Sequence, residues 1–147
     1  ISVCFSKGLG APVGSMLLSS KKRIAQARRY RKMWGGGMRQ IGLLAAAAEY
    51  AIDNHWALLK EDHRRAKEFA QAVSLYSKLA IDLLSVESNI VLFDVLDGDA
   101  VSAVETLAKE DVHMVPFGPK TVRATFHFQI GDNELQKVIE VFSSVFG

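Results

Sequence analysis

The chain has 147 residues, and 49% of them are hydrophobic, so it can fill an ordinary domain core and is not a disordered or low-complexity sequence. A single cysteine gives no disulfide framework, and no apolar run approaches the length of a membrane span, so we expect a cytoplasmic protein without membrane attachment. The net charge of +2 conceals an asymmetry, because nine basic residues and no acidic residue precede Glu49. We therefore expect the first third of the chain to attract anions.

The chain opens on a lysine set in a glycine-rich loop. Residues 1–5 and 16–18 are apolar and predict a strand and a returning strand, and Lys7 lies between them among Gly8, Gly10 and Gly14. An amine that attacks a carbonyl must be held rigidly and partly desolvated beside its cofactor, and such a loop can provide this. Lys7 is therefore a candidate Schiff-base lysine. The alternative is a solvated loop lysine, which is the more common case.

A basic helix is predicted next. Ser19 and Ser20 are expected to cap it, and it runs to about Lys32 with only a thin apolar stripe. Such a face can contact nucleic-acid phosphates, but apart from Tyr30 no aromatic residue is interleaved for stacking, so we expect no nucleic-acid partner.

Three glycines, at 35–37, are expected to break this helix, and the next helix is expected to begin at Met38 to Gln40. Amide groups in front of a helix lie at the positive end of its dipole, which predicts a phosphate or carboxylate site; a plain hinge is the alternative. Residues 41–54 are apolar on nearly every face, so we expect a helix buried inside the protein or between subunits, connecting two structural layers.

The remainder of the chain predicts a small α+β lobe. A long amphipathic helix is expected at 56–78, and alternating elements follow. The predicted strands are 81–86, 90–95, 112–117 and 122–128, and the predicted helices are 100–110 and 133–146. A sheet covered on one face by helices would bury the apolar residues.

An arginine and a pair of histidines raise the question of a carboxylate or a metal site. Arg123 lies on the same strand face as Thr125 and His127, where an arginine can bind a carboxylate through two parallel hydrogen bonds. A sheet-surface salt bridge is the alternative. His55 and His63 are eight residues apart, which is too far for the one-turn pair of helical metal sites, so no metal site is predicted.

Two segments carry a family resemblance: CFSKGLGAPVGS at residues 4–15 and RKMWGGGMRQ at residues 31–40. Both resemble low-specificity threonine aldolases, which use pyridoxal 5′-phosphate (PLP). The resemblance implies an α/β, PLP-dependent transferase-like fold of type I. Residues 1–54 would be the C-terminal end of the PLP-binding large domain, and residues 55–147 a small α+β C-terminal domain. It also implies that the chain is a fragment, with half or more of the enzyme upstream.

The same resemblance implies roles for four residues. Lys7 corresponds to the lysine that carries PLP as an imine, and Arg39 and Lys32 are candidates for contact with the PLP phosphate at a subunit interface. Arg123 corresponds to the arginine that binds the substrate α-carboxylate. Trp34, just before the three glycines, is bulkier than the resemblance leads us to expect.

The implied activity is cleavage of L-threonine, L-allo-threonine or related β-hydroxy-α-amino acids to glycine and an aldehyde. The implied assembly is a homotetramer formed as a dimer of dimers, and the fragment alone is expected to be inactive. Two alternatives stay open: a non-catalytic C-terminal interaction lobe, and another fold type I PLP enzyme such as an aminotransferase or a β-eliminating lyase. A PLP-lysine loop does not by itself separate these reactions.

Overall fold

The computed structural model describes residues 1–147, which divide into two compact units, Ile1–Ala57 and Leu58–Gly147. This division falls three residues after the boundary expected from the sequence. The assignment of the first unit to a PLP-binding domain and of the second to a small domain stays a prediction. None of the helices is long and apolar enough to cross a membrane.

The first unit contains a hairpin and two helices. Strands β1 (Ser2–Cys4) and β2 (Ser15–Leu17) pair antiparallel, as the strand, loop and returning strand predicted. Helix α1 spans Lys21–Met33 and helix α2 spans Gly42–His55. No residue of α1 is buried, which agrees with the predicted exposed basic helix.

Three details of this unit differ from the predictions. Ser20 stands at the start of α1, but its side chain makes no capping hydrogen bond. Helix α2 begins at Gly42 rather than near Met38, and Gln40 in the intervening bend has a positive φ of 49°. Of the α2 residues only Ala51 is buried, whereas Leu43 is 84% exposed. The prediction that α2 is buried inside this chain is thus wrong, and its placement between subunits stays a prediction.

Two elements at the start of the second unit are shorter than predicted. The expected helix at 56–78 is a 3₁₀ turn, Trp56–Leu58, followed by α3, Leu59–Val73. The expected strand at 81–86 is replaced by a two-residue strand, β3 (Leu79–Ala80), and a 3₁₀ turn. The turn forms because the Asp82 carboxylate accepts a hydrogen bond from the Leu84 N–H at 2.9 Å, which competes with strand pairing.

The second unit is an antiparallel sheet with helices packed against it. Its strands, in the spatial order β3-β4-β6-β5, include β4 (Ile90–Val95), β5 (Val115–Pro116) and β6 (Thr121–Thr125). Helix α4 spans Ala100–Lys109 and is capped by Asp99, whose carboxylate accepts from the Ser102 N–H at 3.0 Å. Helix α5 spans Asp132–Phe146 and packs against α3. The α+β lobe predicted from the sequence is therefore present.

Aromatic side chains fill the space between sheet and helices. Phe69 of α3 is fully buried, and its ring centroid lies 5.0 Å from that of Phe142, 5.6 Å from Phe126 and 6.2 Å from Phe93. These rings meet edge-on or tilted, which aromatic quadrupoles favour. One residue thus joins α3, β4 and α5.

One buried residue of α3 is charged. Asp62 is only 1% exposed, and neither carboxylate oxygen has a hydrogen-bond partner; the nearest cation, Nη1 of Arg65, lies 3.9 Å away. Burial raises the pKa of Asp62, and the charges of Arg65, His127 and His63 oppose that rise. An acid in this setting favours the neutral form.

Replacing Phe69 with Ala should destabilise the full chain by about 3–5 kcal/mol, because a large cavity would open among three other rings. Urea unfolding followed by circular dichroism measures the change. The control is Leu75→Ala, a residue 82% exposed, which should change stability by less than about 0.5 kcal/mol. Equal effects of the two variants would contradict this core.

Asp62→Asn should increase stability at neutral pH, because the variant removes the cost of burying an acid whose carboxylate oxygens make no hydrogen bond. Because folding raises the pKa of Asp62, the folded chain binds this proton more tightly than the unfolded chain. The variant's advantage should therefore shrink as the pH falls through the folded pKa, and vanish below about 3.9, the ordinary value of an aspartate. Unfolding measured at several pH values would show this; an advantage that grows at low pH would contradict it.

Candidate functional site

The loop that carries Lys7 is closed by its own backbone. The Phe5 N–H donates to the Gly14 oxygen at 2.9 Å, the Ala11 N–H donates to the Phe5 oxygen at 2.9 Å, and the Gly10 N–H donates to the Lys7 oxygen at 2.8 Å. Gly10 and Gly14 have φ of 70° and 126°, which side chains rarely adopt. The glycines seen in the sequence thus close a turn with Lys7 on it.

A histidine at the end of α2 contacts the same loop. Nδ1 of His55 lies 2.7 Å from the carbonyl oxygen of Leu9, and Leu9 itself is buried. This contact ties the loop to α2 across 46 residues of sequence. This contact was not predicted from the sequence, because a single histidine at a helix end does not indicate which loop its side chain contacts.

Lys7 itself is exposed, and its amine makes no hydrogen bond or ion pair. The partial desolvation expected of a Schiff-base lysine is therefore not seen here. The structure provides an accessible primary amine on a fixed backbone.

The other two basic candidates of the first unit, Lys32 and Arg39, are also exposed and form no salt bridge. Lys32 lies in the last turn of α1, and Arg39 in the bend before α2. Since no acidic residue precedes Glu49, neither cation has a neighbour in sequence that would neutralise it. Both are available to an anion.

Two of the three glycines serve a different purpose from the one expected. The Gly36 N–H donates to the Arg31 oxygen at 2.8 Å and the Gly35 N–H to the Lys32 oxygen at 3.3 Å, so these amides cap the C-terminus of α1. The amides of Gly35 and Gly36 are therefore not available to an anion. Trp34 stacks on Tyr30, with ring centroids 5.3 Å apart, one helical turn back.

Arg123 lies on the open face of the sheet in the second unit. Its cross-strand partners are Leu92 on β4 and Val115 on β5, and neither bears charge. The Nε of Arg123 is buried without a hydrogen-bond partner, and no carboxylate lies within salt-bridge distance of the guanidinium. The sheet-surface salt bridge considered for this residue is therefore absent.

Two neighbours of Arg123 were missed by the sequence analysis. The guanidinium carbon lies 5.5 Å from the centroid of the Phe117 ring, a cation–π distance. Asp94, the acid diagonal to Arg123 across β4 and β6, accepts a hydrogen bond from the Thr121 hydroxyl at 2.5 Å. Strand alternation could have placed Asp94 on this face, but the Phe117 contact depends on a turn whose geometry the sequence does not give.

Two other polar residues lie near the ends of these strands. The Asn89 side chain donates to the Phe126 oxygen at 2.6 Å, and the Phe126 N–H donates to the Asn89 oxygen at 2.8 Å. Asn89 thus extends the pairing of β4 and β6. His127 follows β6, and its carbonyl oxygen accepts from the Ile130 N–H at 2.7 Å.

The site candidates are thus distributed over both units: Lys7, Lys32 and Arg39 lie in the first, and Arg123 lies in the second. Each unit has cationic side chains that form no salt bridge. Among them, only Lys7 combines a fixed loop with a primary amine, which can form a covalent bond to a carbonyl.

Comparison with known proteins supports the resemblance seen in the two motifs. The chain is 38% identical over 149 residues to Probable low-specificity L-threonine aldolase 2 of Arabidopsis thaliana, a match that covers 99% of this chain and 42% of the relative. It is 36% identical over 137 residues to the Low specificity L-threonine aldolase of Escherichia coli K12, covering 93% of this chain and 40% of the relative. The chain therefore spans about two fifths of the length of these curated relatives.

A solved structure shares the fold. A Listeria monocytogenes protein described provisionally as an L-allo-threonine aldolase superposes with a TM-score of 0.75 at 16% identity, covering 97% of this chain and 43% of that one. This likeness confirms the α/β, fold type I class predicted from the sequence. In addition, the profile of the beta-eliminating lyase family matches residues 1–96, about two thirds of the chain. The chain therefore belongs to the beta-eliminating lyase family.

Proposed function

We propose that this chain contributes to a PLP-dependent aldolase that cleaves L-threonine, L-allo-threonine or a related β-hydroxy-α-amino acid to glycine and an aldehyde. The observation that carries the proposal is Arg123, a guanidinium without a carboxylate partner, on the strand where a carboxylate-binding arginine was expected. The names of the relatives, reported above, support the same reaction.

The residues of the first unit fit PLP. Its aldehyde requires an accessible primary amine, and Lys7 offers one on a loop fixed by its backbone hydrogen bonds. Its phosphate requires cations that are not already paired, and Lys32 and Arg39 are exposed and free of salt bridges. The amides of Gly35 and Gly36 do not contribute, because they bond to α1.

Each residue then has a distinct task. Lys7 would hold the aldehyde carbon of PLP and give up its place to the substrate amine, while Lys32 and Arg39 would neutralise the phosphate. Arg123 binds the substrate α-carboxylate through two parallel hydrogen bonds, which fixes the direction of the Cα–Cβ bond. Bound PLP supplies a ring that accepts the electron pair left on Cα when that bond breaks.

The assembly and location belong to the same proposal. We propose a homotetramer, built as a dimer of dimers and located in the cytoplasm. The exposed apolar side chains of α2 support an oligomer, since Leu43 is 84% and Tyr50 61% exposed on a helix that is otherwise rich in alanine. No nucleic acid is needed as a partner, because the basic residues of α1 lack an interleaved row of stacking aromatics.

A second candidate is favoured by the family profile, whose name describes β-elimination. The two reactions yield different products: aldol cleavage releases an aldehyde and glycine, whereas β-elimination followed by hydrolysis releases an α-keto acid and ammonia. Assays of both product pairs on the full-length enzyme that contains this chain decide between them. Aldehyde and glycine without an α-keto acid would support the aldolase; the reverse would favour the lyase.

Lys7→Ala should abolish covalent attachment of PLP in the full-length enzyme that contains this chain. Borohydride reduction followed by peptide mass spectrometry should find the modified lysine at position 7 in the wild type only, and cleavage should fall at least about a hundredfold in the variant. The matched control, Lys22→Ala on exposed α1, should keep both the modification at Lys7 and the cleavage activity. Labelling that persists elsewhere in Lys7→Ala would refute the cofactor assignment.

Arg123→Lys should raise the KM for L-threonine about tenfold or more. Lysine keeps the charge but loses the two parallel hydrogen bonds, and a bond to a charged group contributes about 1.5–3 kcal/mol. Steady-state kinetics on the full-length enzyme that contains this chain measures the change. As a control, Arg64→Lys alters an arginine of the same unit that is already paired with three carboxylates, and should leave KM unchanged. Equal KM values for both variants would remove Arg123 from substrate binding.

A further inference from the structure

An aromatic ring lies beside the guanidinium that the proposed function assigns to the substrate carboxylate. We propose that Phe117 is a positioning residue for Arg123, which holds the guanidinium free and correctly directed for a carboxylate. This inference rests on the proposed function, because it concerns the same arginine. It goes further by assigning the orientation of Arg123 to a residue that neither the motifs nor the family likeness identified.

The contact is set by strand register. Val115 pairs with Arg123 and Pro116 pairs with Val122, so Phe117 follows opposite Thr121, on the face that carries Arg123. The guanidinium carbon lies 5.5 Å from the ring centroid, within the range of a cation–π interaction. A planar guanidinium resting against a ring keeps its N–H edges available for a bidentate ligand.

Hydrogen bonds hold the backbone of the turn that carries Phe117, on both sides of the turn. Its N–H donates to the Thr121 oxygen at 2.8 Å, and the Gly118 N–H shares that acceptor at 3.3 Å. The far side of the turn is held by the Pro119 oxygen, which accepts from the Ala100 N–H at 2.9 Å, and by the Lys120 oxygen, which accepts from the Val95 N–H at 2.9 Å. The ring thus projects from a turn whose backbone is held by hydrogen bonds, although Phe117 is 59% exposed.

The acid best placed to capture Arg123 is already engaged. Asp94 lies diagonal to Arg123 on the same sheet face, at a spacing that long side chains can span. Its Oδ1 accepts the Thr121 hydroxyl at 2.5 Å, and it makes no salt bridge to Arg123. The guanidinium therefore lies against an aromatic ring and not against a carboxylate, so its positive charge is not neutralised. A substrate carboxylate can then pair with it.

The test compares L-threonine with L-threoninamide, which keeps the amine and hydroxyl groups but lacks the carboxylate charge. The KM of each is measured from initial cleavage rates of the PLP-loaded, full-length enzyme that contains this chain, and the ratio of the two KM values reports the carboxylate interaction. Phe117→Leu keeps an apolar side chain without a ring face, and Phe117→Tyr keeps the ring. Because Phe117 is exposed, both variants are expected to fold, which circular dichroism checks.

We expect Phe117→Leu to lower the preference for threonine over threoninamide about two- to fivefold, the range of an exposed cation–π contact, and Phe117→Tyr to retain it. In turnover, KM should rise for the Leu variant by the same factor while kcat changes little. A preference that is equal in the wild type and in Phe117→Leu would overturn the positioning role and leave the proposed function standing. A wild-type protein without any preference for the carboxylate would overturn both.

Discussion

The register of β4 against β6 is the constraint on which the second unit depends. It pairs Phe93 with Val122, and Leu92 with Arg123, so one face of both strands is apolar and the other carries the arginine. The apolar face receives Phe69 and the helices that cover the sheet. A shift of one residue would turn Arg123 into the aromatic core and Val122 to the surface. The same hydrogen bonds therefore build the core and present the candidate site.

Two arginines of this unit differ in how far their guanidinium groups are already paired. Arg64 is surrounded by the carboxylates of Glu61, Glu68 and Asp132, which raise its pKa above the ordinary value of an arginine. Arg64 is thus bound by groups of the protein itself. Arg123 has no carboxylate partner, and its buried Nε makes no hydrogen bond, an arrangement that costs about 1–3 kcal/mol. The proposed role of Arg123 in carboxylate binding gives a reason for an unpaired guanidinium at this position.

The first unit shows how backbone hydrogen bonds decide what a glycine-rich segment leaves available. Two glycines with positive φ close the Lys7 loop, which is held by internal backbone hydrogen bonds and by the contact of His55 with the Leu9 oxygen. The side chain of Lys7 stays exposed. At the end of α1, the amides of Gly35 and Gly36 cap the helix, so the proposed phosphate contacts of this unit come from the side chains of Lys32 and Arg39. Two glycine-rich segments thus differ in what their hydrogen bonds close, which is a loop around an amine in one case and a helix end in the other.

The sequence alone determined the family resemblance and the hairpin around Lys7. It also determined the alternation that places Arg123 and Val122 on opposite faces of the sheet, because glycine loops and period-two patterns are local properties. Only the tertiary structure decided which polar groups are already paired. The shortened strand after Leu79 follows from the Asp82 turn, and the exposure of α2 follows from what the rest of the chain leaves uncovered. The free state of Arg123 depends on Phe117, Thr121 and Asp94, which meet only through cross-strand pairing. Partners distant in sequence leave no periodic signal, so their contacts had to be read from the fold.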